Sequence, residues 1–397
     1  MATPTVWLRP QKAAPSLNRH PWVFVGSVGR IDGMPGPGAA VRVVTVEGEF
    51  IAWGLFNPES AIRVRLYSWK EDDPLTEEFF AGRVARAIAS RVRLFGDGPE
   101  LRACRLISSE GDSLSGLTVD RYGDFLLMQW TSLALFQREA IIAAELQRLL
   151  KPAGIWRRTD TGVMDKEGLP PSDGLVRGSE PPSDLTVIEH GVEYRVDIRH
   201  GQKTGFYFDQ RDNRLAVAKL CARRKVLDVC CYSGGFALTA LSRGEAASVT
   251  GVDGSASALE LAQGNAERNG LAERATFVKS DAWTYLEQAR HRGDRYEVVI
   301  LDPPKLAKAR GQIDAALRGY HGLNTLALGV LEPGGLLATC SCSGLVSRME
   351  FEGVLADAAL SADRPLRLID SRGAAPDHPV SVHCPESGYL KCILCLA

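Results

Sequence analysis

The sequence predicts a multidomain protein with a mainly β N-terminal domain, a central α+β domain and a C-terminal α/β domain on a mostly parallel sheet. Three observations predict it. The chain has 397 residues, and one ordinary core serves about 100–200. Residues 1–70 carry short alternating apolar and polar runs broken by glycine and proline, the pattern of small β structure. Beyond residue 200, short apolar runs alternate with helical stretches. That alternation implies parallel strands with helices on both faces. The expected domains are residues 1–70, 72–190 and 191–397.

The elements follow in order. VRVVTVEGEFIAWG (Val41 to Gly54) reads as strand, turn and strand, and the loop GMPGPG (Gly33 to Gly38) precedes it. IRVRLY (Ile62 to Tyr67) alternates as a half-buried strand, with Arg63 and Arg65 on its polar, solvent face, where phosphate can meet them. DPLTEE (Asp73 to Glu78) places Asp73 at a helix N-cap and Pro74 at the first helical position. Phe80, Val84, Ile88 and Val92 form one apolar stripe on that helix, and Arg83, Arg86, Arg91 and Arg93 decorate its surface. LTVDRYGDFLLM (Leu117 to Met128) reads as a hairpin turning near Tyr122 to Asp124, and a helix from about Leu135 to Leu150 follows. Residues 170–184 are loop-like, and Val192 to Ile198 alternates as a strand. The C-terminal strands are expected at Lys225 to Val229, Val249 to Asp253, within Ala272 to Asp281, and at Tyr296 to Asp302, with a helix over Ser257 to Asn269. LEPGG (Leu331 to Gly335) reads as a turn and LLAT (Leu336 to Thr339) as the strand after it.

Composition narrows the class. Hydrophobic residues at 45% and charged residues at 24% are ordinary soluble usage. A net charge of −1 neither supports nor excludes nucleic acid, because a local patch can do the binding. The start MATPTVWLRP lacks a secretory pattern, and no stretch approaches the ~18 uncharged apolar residues of a membrane span. A reduced, cytoplasmic protein is expected. Its nine cysteines include one C-x-x-C, Cys392 to Cys395, inside the strand-like GYLKCILCLA. Together with Cys340 and Cys342 they offer four thiolates, but the C-x-C spacing is tight and both pairs lie in apolar strand-like sequence. No metal is expected. Of the adjacent Cys230 and Cys231, one is expected to pack inward and the other to line the following turn.

The phrase DVCCYSGGF (Asp228 to Phe236) ends a strand on an acid and opens a turn with Gly234 and Gly235. Glycine permits close backbone approach to a ligand. Asp253 ends the next strand, where a carboxylate can receive two ribose hydroxyls, and Asp281 follows the third. Asp302 closes the fourth. Any one Asp–Gly pair is equally well a plain turn. Four strand-terminal acids in order point to an adenosyl nucleoside beyond the strand C-termini. The full dinucleotide glycine fingerprint and the P-loop motif are both absent.

Several phrases together resemble one family. They are HPWVF (His20 to Phe24), HGQKTGFYFDQR (His200 to Arg211), DPPK (Asp302 to Lys305), RGY (Arg318 to Tyr320), CSCSG (Cys340 to Gly344) and DHPV (Asp377 to Val380). The chain resembles the class I S-adenosylmethionine-dependent methyltransferases, more narrowly the bacterial 23S ribosomal RNA cytosine-5 methyltransferases, over nearly its whole length. The resemblance implies a PUA-like RNA-binding barrel at the N-terminus, a central α+β domain and a Rossmann-like methyltransferase sheet. It implies S-adenosylmethionine as cofactor, held by Phe206, Asp228, Tyr232, Ser233, Gly234, Gly235, Asp253, Asp281 and Asp302. Phe206 or Tyr207 would pack against the cofactor. Lys203, Gln210 and Arg211 would bind its carboxylate or the RNA, and Lys305 would meet phosphate or substrate. RNA, 23S ribosomal RNA above all, is the implied partner, and a homodimer is one possible assembly.

Carbon 5 of cytosine is a poor nucleophile. A thiolate adding at carbon 6 pushes electron density onto carbon 5, which is covalent catalysis by a positioned cysteine. By resemblance the nucleophile aligns with Cys342, Cys340 falls at a packing position, and Asp302 contacts the pyrimidine edge. The wider superfamily often carries a Pro-Cys loop after the fourth strand, where this chain has Pro304 and Lys305. The base that removes the carbon 5 proton is therefore unassigned. Asn324 and His378 receive no catalytic role, and Trp22 either fills a core or stacks on RNA. Two other readings stay open: a guanine N-methyltransferase, which needs no cysteine nucleophile, and a non-enzymatic RNA-binding scaffold, which needs neither the ordered acids nor Cys342.

Overall fold

A computed structural model of the chain describes residues 3–159, 161–199 and 205–397. Lys203 lies outside the described residues. The chain forms two compact units. The first comprises Met1–Leu185, Asp197–Phe206 and Pro376–Ser387, and the second Thr186–Val196, Tyr207–Ala375 and Gly388–Ala397.

The first unit holds two sheets. The six-stranded sheet runs Trp22–Phe24, Ile62–Ser68, Phe50–Phe56, Ala40–Val44, Thr5–Leu8 and Val28–Asp32 in spatial order. Its pairs are antiparallel except Thr5–Leu8 with Ala40–Val44. Inward-facing Val6, Leu8, Val41, Val43, Val64 and Leu66 fill its core. The five-stranded sheet runs Gly174–Gly178, Gly154–Thr159, Phe125–Trp130, Leu117–Tyr122 and Ala103–Ser108. The expected hairpin is present, with Tyr122 facing Phe125 across the turn. Phe80, Val84 and Ile88 of helix Glu77–Phe95 share a core with Ile142 and Leu146 of helix Glu139–Leu150 and with the sheet's Leu106, Val119 and Met128.

Three local expectations need correction here. The long helix starts at Glu77 rather than after Asp73, because the Thr76 side chain caps it by accepting from the Phe79 N–H at 3.2 Å. The helix expected over 135–150 is two pieces, Leu133–Phe136 and Glu139–Leu150. The strand expected to reach Ile198 ends at Arg195.

The arginines differ more. Arg65 does not face solvent. It is buried, its guanidinium lies 3.2 Å from Glu167 and 3.5 Å from Glu110, and it also donates to Ser115 Oγ and the Thr131 carbonyl. Arg91 is fully buried too, paired through both terminal nitrogens with Asp112 at 2.7 Å and donating to the Asp377 carbonyl at 2.8 Å. Alternation in the sequence marks which face a side chain leaves from. It does not show that a second layer covers that face.

The second unit is built on a seven-stranded sheet, in chain order β1 (Lys225–Val229), β2 (Ser248–Asp253), β3 (Ala275–Lys279), β4 (Tyr296–Leu301), β5 (Leu331–Ser341), β6 (Arg367–Arg372) and β7 (Lys391–Leu396), with a separate two-stranded ribbon, Thr186–Glu189 and Val192–Arg195. Their spatial order is β3-β2-β1-β4-β5-β7-β6. The first five are parallel, and β7 runs antiparallel between β5 and β6. The order reverses at β1/β4, where open α/β sheets place their ligands, beyond the strand C-termini. β5 opens irregularly: Tyr296 faces Leu331 but Val298 faces Leu336, so residues 332–335 bulge out, as the Pro-Gly-Gly run anticipates. β1 and β4 are apolar at their inner positions, Asp228 excepted, because both faces are covered; Leu227, Val229, Val299 and Leu301 belong to one core with Tyr320, Leu323 and Phe351. Among the described residues no helix is long and apolar enough to cross a membrane.

Candidate active site

The turn after β1 is bent by backbone rather than by bulk. Cys230, Tyr232 and Gly234 all have positive φ, at 65°, 48° and 83°. Only glycine adopts such angles freely, and non-glycine residues there mark strain that the surroundings must hold. Two carboxylates hold it. Asp253, at the end of β2, accepts the Tyr232 N–H at 3.0 Å on one oxygen and the Ser255 N–H at 2.9 Å on the other. Asp228 accepts the Ala237 N–H at 2.9 Å, in the first turn of helix Gly235–Ser242. A Cβ on Gly235 would meet the Arg214 side chain at 3.2 Å, so the turn admits no side chain there without displacement. Ser233 is buried, and its carbonyl accepts from Asn265 Nδ2 at 3.3 Å.

Asp228 is fully enclosed. Burial pushes its carboxyl up to about 8, and the nearby Asp302 and Asp253 charges push the same way. Its Oδ2 braces the turn through the Ala237 N–H. Asp253 is only half-buried and keeps lone pairs free beside the bent turn. Asp281 is exposed and caps helix Ala282–Arg292 by accepting the Thr284 N–H at 3.0 Å, bonds that hold its carboxyl below the usual range.

Asp302 follows β4, and its N–H donates to the Val229 carbonyl. Gln210 donates from Nε2 to Asp302 Oδ2 at 3.1 Å and accepts from Asn213 Nδ2 at 2.7 Å. Gln210 is buried, and its side chain orients Asp302. Arg211 is buried as well. Phe206 is buried and belongs to the first unit. Lys305 is exposed.

Cys342 follows β5 and is half-buried, its sulfur 3.9 Å from the Pro303 carbonyl. The two cysteines of this phrase differ because β5 ends at Ser341, which leaves Cys340 inside the ladder and Cys342 beyond it. Cys340 lies opposite Cys392 in the ladder and is fully buried, and the Cys392 thiol and burial raise its pKa well above that of an ordinary thiol. Cys342 alone of the pair is open to solvent.

Sequence reasoning missed three groups that assemble this corner. Ser343 Oγ accepts from the Leu306 and Ala307 N–H groups, each at 3.1 Å, and lies 2.9 Å from Tyr320 Oη. One hydroxyl thus ties the loop after Asp302 to the loop bearing Cys342. Arg214, buried and paired with Glu189 at 2.7 and 2.8 Å, donates to the Tyr207 carbonyl. The Tyr207 ring meets the Tyr232 ring edge-on at 5.2 Å. Burial, with the Tyr232, Asp302, Asp209 and Cys342 charges, keeps the Tyr207 phenol protonated. Serine beside a cysteine and an isolated Arg-Glu pair carry no distinctive sequence signal. Lys391 completes the corner, as developed below.

A donor group elsewhere does not suit a metal. His20, Cys384 and Glu386 gather within 4.8 Å. His20 Nδ1 accepts the Trp22 N–H, which leaves the proton on Nε2, 3.2 Å from Glu386. The imidazole then offers no lone pair to an ion.

The bent Gly-Gly turn, a half-buried acid at the end of β2 and a half-buried acid after β4 fit an adenosyl nucleoside with an exposed sulfur beside it. Known proteins agree. A PUA-like domain matches residues 6–69, and the S-adenosylmethionine-dependent methyltransferase family matches residues 133–381. The protein called ribosomal RNA large subunit methyltransferase I from Tolumonas auensis is 41% identical over 98% of both chains. Its namesake from Erwinia tasmaniensis is 42% identical over 96% of both. A solved S-adenosylmethionine-dependent methyltransferase from Streptococcus mutans superposes with a TM-score of 0.84 at 21% identity, covering 99% of this chain and 100% of the other. A methyltransferase crystallised with S-adenosylhomocysteine gives 0.85 at 22% over the full length of both. The chain therefore belongs to the S-adenosylmethionine-dependent methyltransferases that carry an N-terminal PUA-like domain, and S-adenosylmethionine is its cofactor.

Proposed function

We propose that this enzyme methylates carbon 5 of a cytosine in large-subunit (23S) ribosomal RNA, through a covalent adduct between Cys342 and carbon 6. The reading rests on one observation above the others: Cys342 is a half-buried thiol beside the Asp302–Pro303 loop, at the cofactor end of the sheet. A methyltransferase acting on an exocyclic or ring nitrogen has no use for it. The relatives named for ribosomal RNA large-subunit methylation support the RNA class, as does the PUA-like domain.

The bound cofactor supplies an electrophilic methyl on a sulfonium. The Cys342 thiolate forms a bond to carbon 6, and the carbon 5–carbon 6 π pair moves to carbon 5. Carbon 5 takes the methyl group as the methyl–sulfonium bond breaks, and that bond's electron pair stays on sulfur, which leaves as a neutral thioether. A proton then leaves carbon 5 to water or another base, the double bond re-forms, and the carbon–sulfur bond breaks to return the thiolate. Asp302, steadied by Gln210, accepts from the cytosine amino group and aligns the ring. Asp253 accepts ribose hydroxyls, the turn from Tyr232 to Gly235 lets backbone approach the cofactor, and Lys305 meets backbone phosphate. The base must be unstacked to admit attack from both faces, so a loop or a flipped nucleotide is the target.

RNA carrying 5-fluorocytosine tests this. Fluorine blocks loss of the carbon 5 substituent, so a covalent protein–RNA species is expected with S-adenosylmethionine and none with Cys342→Ala. Methylated guanine without any adduct would establish the nitrogen-methylating alternative.

A further inference from the structure

Lys391 opens β7 and pairs with Ser341 across the ladder to β5, one residue before Cys342. Its side chain is buried. Nζ donates to the Ser343 carbonyl at 2.7 Å and to the Tyr389 carbonyl at 2.8 Å. It joins none of the ion pairs among the described residues, so a buried ammonium is held by two neutral carbonyls. Such burial disfavours the charged form, and nature rarely leaves a lysine so placed without a task. The charged groups facing it are Cys342, Arg348, Glu350 and Lys305. Burial lowers its pKa to about 8, and negative charge on Cys342 is the largest opposing influence.

We propose that Lys391 is a positioning residue that holds the Cys342 loop through the Ser343 carbonyl and stabilises the Cys342 thiolate with its ammonium. The inference deepens the cytosine reading and rests on it for its catalytic meaning. The thiol releases its proton to solvent, and the ammonium keeps the resulting charge on sulfur beside the base. After methyl transfer the same cation favours breaking of the carbon 6–sulfur bond, because sulfur leaves as the anion it stabilises. A cation beside a cysteine is a general means of raising its thiolate fraction.

The test reads Cys342 directly, without RNA. Full-length protein is alkylated with iodoacetamide from pH 6 to 10, and the Cys342 peptide is followed by mass spectrometry. In Lys391→Met the rate at pH 7 should fall about tenfold and its inflection move to higher pH, whereas Lys391→Arg should retain most of the rate. An unchanged profile in Lys391→Met overturns the proposal. If that variant does not fold, isotope-labelled lysine is titrated by NMR in the wild type and in Cys342→Ser. The Lys391 midpoint should drop when the sulfur is lost, and equal midpoints overturn the proposal. Because neither readout involves RNA, a missing fluorocytosine adduct would sink the cytosine reading while leaving the lysine–thiol coupling decided by these titrations.

Discussion

Gln210 and Asp302 are joined by a hydrogen bond of 3.1 Å, and Asn213 fixes the other end of the same amide. The amide has one orientation that satisfies both neighbours, so the carboxylate of Asp302 has one preferred pose. Gln210→Glu would set two carboxylates against each other. It should lower kcat about 10- to 100-fold with a smaller change in cofactor Kd. Single-turnover methylation alongside calorimetry separates the two. Equal losses in both would mean that the turn, not Asp302, depends on Gln210.

Cys342→Ala should remove detectable turnover and leave cofactor affinity within about twofold, since the sulfur acts on the base and not on the nucleoside. Cys340→Ala should keep its chemistry and lose stability instead, because that thiol fills a sealed site opposite Cys392. Activity and thermal melts on the two variants distinguish their roles. Retained turnover in Cys342→Ala would reject the nucleophile.

Asp253→Ala should weaken cofactor binding about 10- to 100-fold. It removes the acceptor proposed for ribose and also frees the Tyr232 and Ser255 N–H groups that hold the bent turn. Titration calorimetry with S-adenosylhomocysteine reads this, and an unchanged Kd would remove the residue from the cofactor site.

Asp228 makes stability depend on pH in a predictable direction. Its folded pKa, about 8, lies above the ordinary carboxylate value. The folded state therefore holds the proton more tightly than the unfolded chain does, and stability falls as pH rises from about 4 to 8. Asp228→Asn keeps an acceptor for the Ala237 N–H and should flatten this part of the curve. Melting temperatures of both proteins from pH 5 to 9 check it.

Arg65→Met should destabilise the first unit by about 3–5 kcal/mol, because Glu110 and Glu167 would keep their buried charges without the cation between them. Burial opposes the Glu110 charge, but Arg65 and the Ser115 and Ser109 hydroxyls together hold its carboxyl below the usual value. That depressed pKa contributes stability above the unfolded value that is lost as pH falls through the folded one. The acid limb of the melting curve should accordingly be shallower in the variant. Chemical denaturation at neutral pH measures the first effect.

The sheet was legible because its central strands are short apolar runs covered on both faces, with an acid at or near the C-terminal end of three of them. Asp228 lies in β1, Asp253 closes β2 and Asp302 follows β4, within a residue or so of where the chain places them. The choice of Cys342 over Cys340 followed from family resemblance, and the end of β5 at Ser341 gives the physical reason for their different burial. The fates of the polar groups were not legible. Arg65, Arg211 and Gln210 read as donors for a ligand and Arg91 as a surface residue, yet all four are buried. A guanidinium looks the same in sequence whether its anionic partner is an RNA phosphate or a glutamate forty-five or a hundred and two positions away. Ser343 and Lys391 were overlooked for the opposite reason: their neighbours in sequence are ordinary, and only the antiparallel return of β7 brings the lysine back to the loop after β5.

The segment Pro376–Ser387 belongs to the first unit, where the Asp377 carboxylate accepts from the Arg105 N–H and its carbonyl accepts from Arg91. Those groups leave the ribosome 286 and 272 residues after the arginines they bond. Until then Arg91 holds Asp112 and the Arg105 carbonyl but lacks its third acceptor, and the first unit waits on a late segment for its final stitches. A shortened messenger ending near codon 375 would thus yield a polypeptide damaged at both ends, although only one end had been cut.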